Sequence, residues 1–119
     1  MTIHLLLGMR AERLALRYLK QQGLKLIVKN FRCKYGEIDL VMQDQDTLVF
    51  VEVRFRKKSD YGTGLESVDS HKQQRIFHTS RYFLQKNFSA KYFNIRFDMI
   101  AVDATFKINW IKSAFEVKY

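Results

Sequence analysis

Residues 36–56 constrain this chain more than any other stretch. Two apolar runs, 38–42 and 48–55, flank a polar turn at Gln43–Asp46, which is the pattern of a β-hairpin. Each run carries one acid among Val, Leu and Phe: Asp39 in the first, Glu52 in the second. A carboxylate in such a strand is costly unless a cation, a hydrogen bond or water compensates it. Two acids on paired strands can share one cation.

Side-chain parity sharpens the placement. Val49, Val51, Val53 and Phe55 fall on one face of the second strand, and Leu48, Phe50, Glu52, Arg54 and Arg56 on the other. Glu52 and Arg54 therefore project to the same side. On the first strand the same alternation puts Glu37, Asp39 and Val41 on one face.

The rest of the chain supplies a scaffold. Ala11, Leu14, Ala15, Tyr18 and Leu19 recur at helical spacing within 8–22, with Gly23 where a C-cap belongs and Glu12 at the edge of the apolar stripe. Residues 24–32 read as a strand and 57–68 as a loop. Asp69 or Ser70 can N-cap a helix running to about Asn87. In that helix Ile76, Phe77, Tyr82, Phe83 and Leu84 face in, and Lys72, Gln73, Arg75, His78 and Arg81 lie mostly outside. Two more strands follow at 94–102 and 107–115. The order is αβββαββ, an α/β domain spanning 1–119 with no repeat, linker or low-complexity segment. If the strands flanking the second helix are parallel, the sheet is mixed.

Charge narrows the partner. The chain has 21 Lys and Arg against 12 Asp and Glu, a net charge of +9. The basic residues cluster at Arg10–Lys34, Arg54–Lys58 and Lys72–Arg81. A polyanion such as nucleic acid is the leading partner class. An anionic membrane ranks below it, because no run of four or more Lys or Arg sits beside an apolar anchor. The apolar run Leu5–Leu7 is too short for a signal peptide or a membrane span. One cysteine, Cys33, excludes an internal disulfide and fits a reducing compartment, so a cytoplasmic location is expected.

Several features carry little chemistry. His4, His71 and His78 have no zinc-ligand spacing. Cys33 has no placed base to make it a nucleophile. Gly62-Thr63-Gly64 is a lone GxG and reads as loop. Tyr35, Phe55 and Tyr61 could stack on bases, although aromatics in such a chain are more often core or groove wall. Asp98 reads as a structural hydrogen-bond acceptor. On the residues alone, Asp39 and Glu52 also fit a structural role, paired with Arg32, Arg54 or Arg56.

The order Glu12, Asp39, Glu52-Val53-Arg54 resembles the PD-(D/E)XK nuclease superfamily and its restriction-endonuclease-like fold. More closely, the chain resembles the YraN family of small bacterial proteins. The matching stretches are Ala11-Glu12, Asn30-Phe31-Arg32, Gly36 to Leu40, Leu48 to Val53, the helix with Lys72, Arg96-Phe97-Asp98 and Ala114-Phe115. Together they cover nearly the whole chain.

That resemblance implies a site like that of archaeal Holliday-junction resolvases. Asp39, Glu52, Glu12 and the Val53 carbonyl would hold Mg²⁺ or Mn²⁺, and Arg54 would stand at the motif lysine. Arginine supplies charge but cannot act as a base, so Lys72 is the expected substitute. The expected phosphate contacts are Arg56, Lys57, Lys58 and Arg75. The resemblance thus implies a metal-dependent, nuclease-like protein acting on DNA, branched or damaged DNA included, with weak cleavage. The alternatives are a non-catalytic nucleic-acid-binding module on the same fold, and a basic scaffold with an incidental acid pair. A two-fold junction would suit a C₂ homodimer.

Overall fold

A computed structural model of the chain describes residues 2–56, 69–86 and 94–116. The elements are α1 (Ile3–Gln21), β1 (Lys25–Cys33), β2 (Gly36–Asp44), β3 (Thr47–Arg56), α2 (Ser70–Lys86), β4 (Asn94–Asp103) and β5 (Ile108–Ile111). Their order is the αβββαββ that the sequence predicts. Lys57, Lys58, Tyr61 and Gly62-Thr63-Gly64, with the loop expected over 57–68, lie outside the described residues.

Helix α1 begins at Ile3, ahead of the predicted residue 8, because Thr2 caps it: its Oγ1 accepts from Leu5 N at 3.2 Å. Ile3, Leu5, Leu6 and Met9 are exposed, so the helix starts before its buried stripe does. The other end is a Schellman motif. Gly23 takes φ 97, Gly23 N donates to Lys20 O at 3.0 Å, and Leu24 N donates to Leu19 O at 3.0 Å. Leu24 and Leu19 then close the apolar contact typical of that cap. Helix α2 is capped by Asp69, whose Oδ1 accepts from Lys72 N at 2.8 Å.

The five strands form one mixed sheet in the order β1-β2-β3-β4-β5. Strands β3 and β4 are parallel, and the other neighbours are antiparallel. Two apolar clusters sandwich it. Ala11, Ala15 and Leu19 of α1 pack with Leu40, Met42, Val49, Val51, Ile100 and Val102. Ile76 and Phe83 of α2 pack with Ile38, Val41, Leu48, Phe50 and Met99. The helices therefore cover opposite faces. Among the described residues no helix is long and apolar enough to cross a membrane.

Strand β3 alternates as predicted, with Val49 and Val51 toward α1 and Leu48 and Phe50 toward α2. Strand β2 does not alternate throughout. Ile38 and Val41, three residues apart, both pack on the α2 side, while Leu40 packs on the α1 side. The pleat is broken around Asp39. On β1, between the pairs Lys29–Leu40 and Phe31–Ile38, Asn30 takes the left-handed φ of 54. Glu37, Asp39 and Val41 still share the α2 side, the first two beside Lys72 and Arg75 and Val41 in the cluster with Ile76, so the irregularity falls on Ile38.

Strand β5 is shorter than the predicted 107–115. Ser113 turns with φ 50, and its N–H is taken by Asp98 Oδ1 at 3.0 Å. Asp98 is fully buried. It also accepts from Arg96 Nε at 3.1 Å and from Trp110 Nε1 at 3.0 Å. This fits the structural role expected of it, tying β4, β5 and the following turn together.

Candidate active site

The acid pair sits where β2 and β3 part. Their paired residues run from Asp44–Thr47 to Leu40–Val51. One step further, the Asp39 side chain takes over from the strand ladder: Val53 N donates to Asp39 Oδ2 at 2.8 Å. Strand β3 continues, paired now with β4 alone, through Glu52, Val53 and Arg54. The parting opens a cleft of about 250 Å³ bordered by Glu37, Asp39, Glu52, Lys72, Arg75 and Ile76.

Lys72 comes from the first turn of α2, and its Nζ lies 3.0 Å from Glu52 Oε1. The Glu52 side chain is only 12% exposed and that of Lys72 34%, so this pair is better shielded from water than a surface ion pair. Arg54 lies close enough to favour the Glu52 charge as well.

The electrostatics of the pair follow from its burial. Desolvation pushes the Asp39 carboxyl up to about 8, and the adjacent Glu52 charge adds to the rise. The hydrogen bond from Val53 N opposes it. Burial also raises Glu52, against the pull of Lys72 and Arg54. The two carboxyls act on each other at close range, and the Asp39 proton is held the more firmly for it. At neutral pH the pair thus holds a proton that a divalent cation could replace.

Glu12 is near but separate. It accepts from Asn30 Nδ2 at 2.8 Å and borders a second hollow of about 360 Å³ between α1 and β1–β2. Its charge still contributes to the rise at Asp39. Glu37 borders both hollows and is held by Arg32 Nε at 2.7 Å. Among the described residues no three His, Cys, Asp or Glu side chains converge tightly enough to hold a metal. Asp39 and Glu52 border one cleft and could together offer a hard cation two carboxylates. Mg²⁺ is commonly held by one or two carboxylates, the remaining positions going to water and phosphate oxygen.

Sequence reasoning gave no role to Asn30 or Glu37, which form a polar link between Glu12 and the acid pair. Their signal was polar residues beside the Asp39 run, which a solvated strand edge produces equally well. Of the expected phosphate contacts, Arg75 borders the cleft and is exposed, and Arg56 ends β3.

The fold and the cleft define a small α/β protein with a half-buried acid pair, faced by a helix-borne lysine, at an opening of a mixed sheet. The family model described as "Uncharacterised protein family UPF0102" matches residues 11–102, and the chain belongs to that family. It is 46% identical over 114 residues to a UPF0102 protein of Pseudomonas fluorescens, covering 95% of each chain. It is 47% identical over 113 residues to one of Coxiella burnetii, covering 95% of this chain and 94% of the other. With one of Herminiimonas arsenicoxydans it shares 51% over 115 residues, covering 97% and 90%.

Proposed function

We propose that this chain is a metal-dependent, nuclease-like DNA-binding protein of the PD-(D/E)XK type, with slow phosphodiester hydrolysis. The observation that carries the reading is the Asp39–Glu52 pair: two adjacent half-buried carboxyls, a lysine at 3.0 Å, and an open cleft beside them. A purely structural acid such as Asp98 has both of its oxygens met by donors. Here one partner remains protonated up to about pH 8, which is an arrangement that awaits a divalent ion.

Asp39 and Glu52 would hold Mg²⁺ or Mn²⁺. When bound, such an ion supplies Lewis acidity toward a phosphate and a more acidic water. The chain's own groups do the rest. Lys72 in its ion pair is an ammonium that can donate to a phosphate oxygen or orient the attacking water. Arg54 stabilises negative charge but takes no proton. The Val53 N–H fixes the Asp39 carboxyl through Oδ2. Arg75, exposed at the mouth of the cleft, neutralises a flanking phosphate. Branched or damaged DNA, a cytoplasmic setting and a two-fold dimer on a two-fold junction belong to this same reading.

Arg54 favours a second reading, in which the fold binds nucleic acid without cutting it. The test is a cleavage screen with Mn²⁺ and Mg²⁺ on duplex, flap, single-stranded and four-way-junction substrates. Cleavage of any of them that is lost in Glu52→Gln supports the enzyme. Binding without cleavage supports the module, and neither binding nor cleavage refutes both.

A further inference from the structure

Beside the cleft lies a surface that the acid pair does not explain. Tyr35, in the turn between β1 and β2, is 41% exposed. Its ring centroid is 5.7 Å from that of His78 and 6.2 Å from that of Tyr82, both on α2. Tyr82 in turn lies 6.3 Å from Phe31. Cations rim these rings: Lys34 Nζ is 5.2 Å from the Tyr35 centroid and Lys86 Nζ 5.6 Å from that of Tyr82. Lys34 and Lys86 are exposed, so each can move from a ring onto a phosphate.

The backbone holds this cluster against the cleft. Gly36, next to Tyr35, borders the same cleft as Asp39 and Glu52. It has φ 150, and a Cβ there would stand 3.3 Å from Thr79 Oγ1. Glycine at this position lets the turn lie on α2, which brings Tyr35 onto His78. On α2, Arg75 at the cleft and His78 on the platform are one turn apart, roughly 5 Å along the axis. From Gly36 to Asp39 the strand advances roughly 10 Å.

Rings that only stiffened the turn would gain most by burial. Instead Tyr35 is 41% exposed, with Lys34 over its ring and Lys86 over that of its neighbour Tyr82. Aromatic faces beside a basic track are the means by which proteins hold single-stranded nucleic acid, because every base has a π-face. Bases inside a duplex are stacked on one another and cannot offer one. We propose that Tyr35, with His78 and Tyr82, is a stacking platform for an unpaired base flanking the phosphate held at the acid pair. This rests on the nuclease-like reading and deepens it: the substrate class is nucleic acid with unpaired nucleotides at the site, not uniform duplex.

The test measures binding by the full chain in EDTA, where nothing is cut. The probes are a blunt duplex and the same duplex with a single-stranded tail carrying 2-aminopurine at the junction. The tailed duplex is expected to bind more tightly, with 2-aminopurine fluorescence quenched. Tyr35→Ala should weaken the tailed duplex about tenfold and change the blunt duplex by less than about twofold, and Tyr35→Phe should retain the preference. Equal affinity for both probes without quenching overturns the platform while leaving duplex binding, and so the broader reading, in place. An equal loss on both probes in Tyr35→Ala overturns it too. Binding to neither probe at low salt overturns the broader reading together with this one. Quenching in the unaltered protein decides the matter even where a variant fails to fold.

Discussion

Lys72 Nζ lies 3.0 Å from Glu52 Oε1, so a cation in direct contact with the acid pair comes from α2, and the charge of Arg54 favours ionised Glu52 as well. In the proposed nuclease the roles of the two cations separate accordingly. Lys72→Ala is expected to abolish single-turnover cleavage with Mn²⁺, whereas Arg54→Lys changes the rate little. Arg54→Ala should weaken substrate binding and leave metal binding intact. Equal, non-zero rates in all three variants and the unaltered protein would show that neither cation has a catalytic role.

Asp39 dictates an unusual pH response. Its carboxyl stands at about 8 in the fold against an ordinary 3.8, so the folded chain holds this proton more tightly than the unfolded one. The stability it contributes is complete below the ordinary value and is lost as pH rises toward the folded value. Glu52 shifts in the same direction. Without metal, the unfolding free energy of Asp39→Asn relative to the unaltered protein, measured in urea, should climb between pH 4 and pH 8, reaching a gain on the order of a few kcal/mol. An identical pH profile in the two proteins would dismiss the buried-proton account. Asn keeps an oxygen to accept from Val53 N, which separates loss of charge from loss of the hydrogen bond.

Metal binding distinguishes the acids from one another. Asp39→Ala and Glu52→Gln should each abolish Mn²⁺ binding by calorimetry. Glu12→Gln should largely preserve it, because Asn30 holds Glu12 at 2.8 Å beside the neighbouring hollow. Loss of affinity in Glu12→Gln equal to that in Glu52→Gln would place Glu12 in the ligand set after all.

The acid pair was legible in the sequence because a charge inside Val, Leu and Phe is physically anomalous wherever it occurs. The break in β2 was not. Alternation assumes a regular pleat, and nothing in Glu37 to Val41 announces that Ile38 and Val41 pack on one side. Lys72 could be proposed for the site but not placed there, since the packing of α2 on the sheet is decided by Ile38, Phe50, Ile76 and Phe83 acting together. The role of Gly36 was equally hidden: in sequence it only opens the 36–56 stretch, and in the fold a Cβ there would stand 3.3 Å from Thr79 Oγ1.

Gly23, by contrast, was readable as a cap from its position alone. At φ 97, with nothing within 4 Å of an added Cβ, Gly23→Ala tests the backbone without steric confusion. The substitution should cost about 1 kcal/mol in urea unfolding, the penalty for a side chain in the left-handed region. No loss of stability would mean that the Schellman cap rearranges readily.

Nucleic-acid affinity should carry the signature of phosphate contacts. The net charge is +9, and Arg75 at the cleft, with Lys34 and Lys86 beside the aromatic cluster, presents exposed cations around the site. If about five phosphates are neutralised, log affinity for duplex should fall against log salt with a slope near −4 to −5. Each phosphate contact removed should flatten that slope by about one, uniformly across sequences. Arg75→Ala is therefore expected to weaken binding and reduce the slope, with Mn²⁺ affinity unchanged because the carboxyls are intact. Glu52→Gln should do the reverse, losing metal while keeping the slope. Anisotropy titrations of the three proteins at several salt concentrations check this. A salt-independent affinity would sink the electrostatic account, and an unchanged slope in Arg75→Ala would remove Arg75 from the phosphate track.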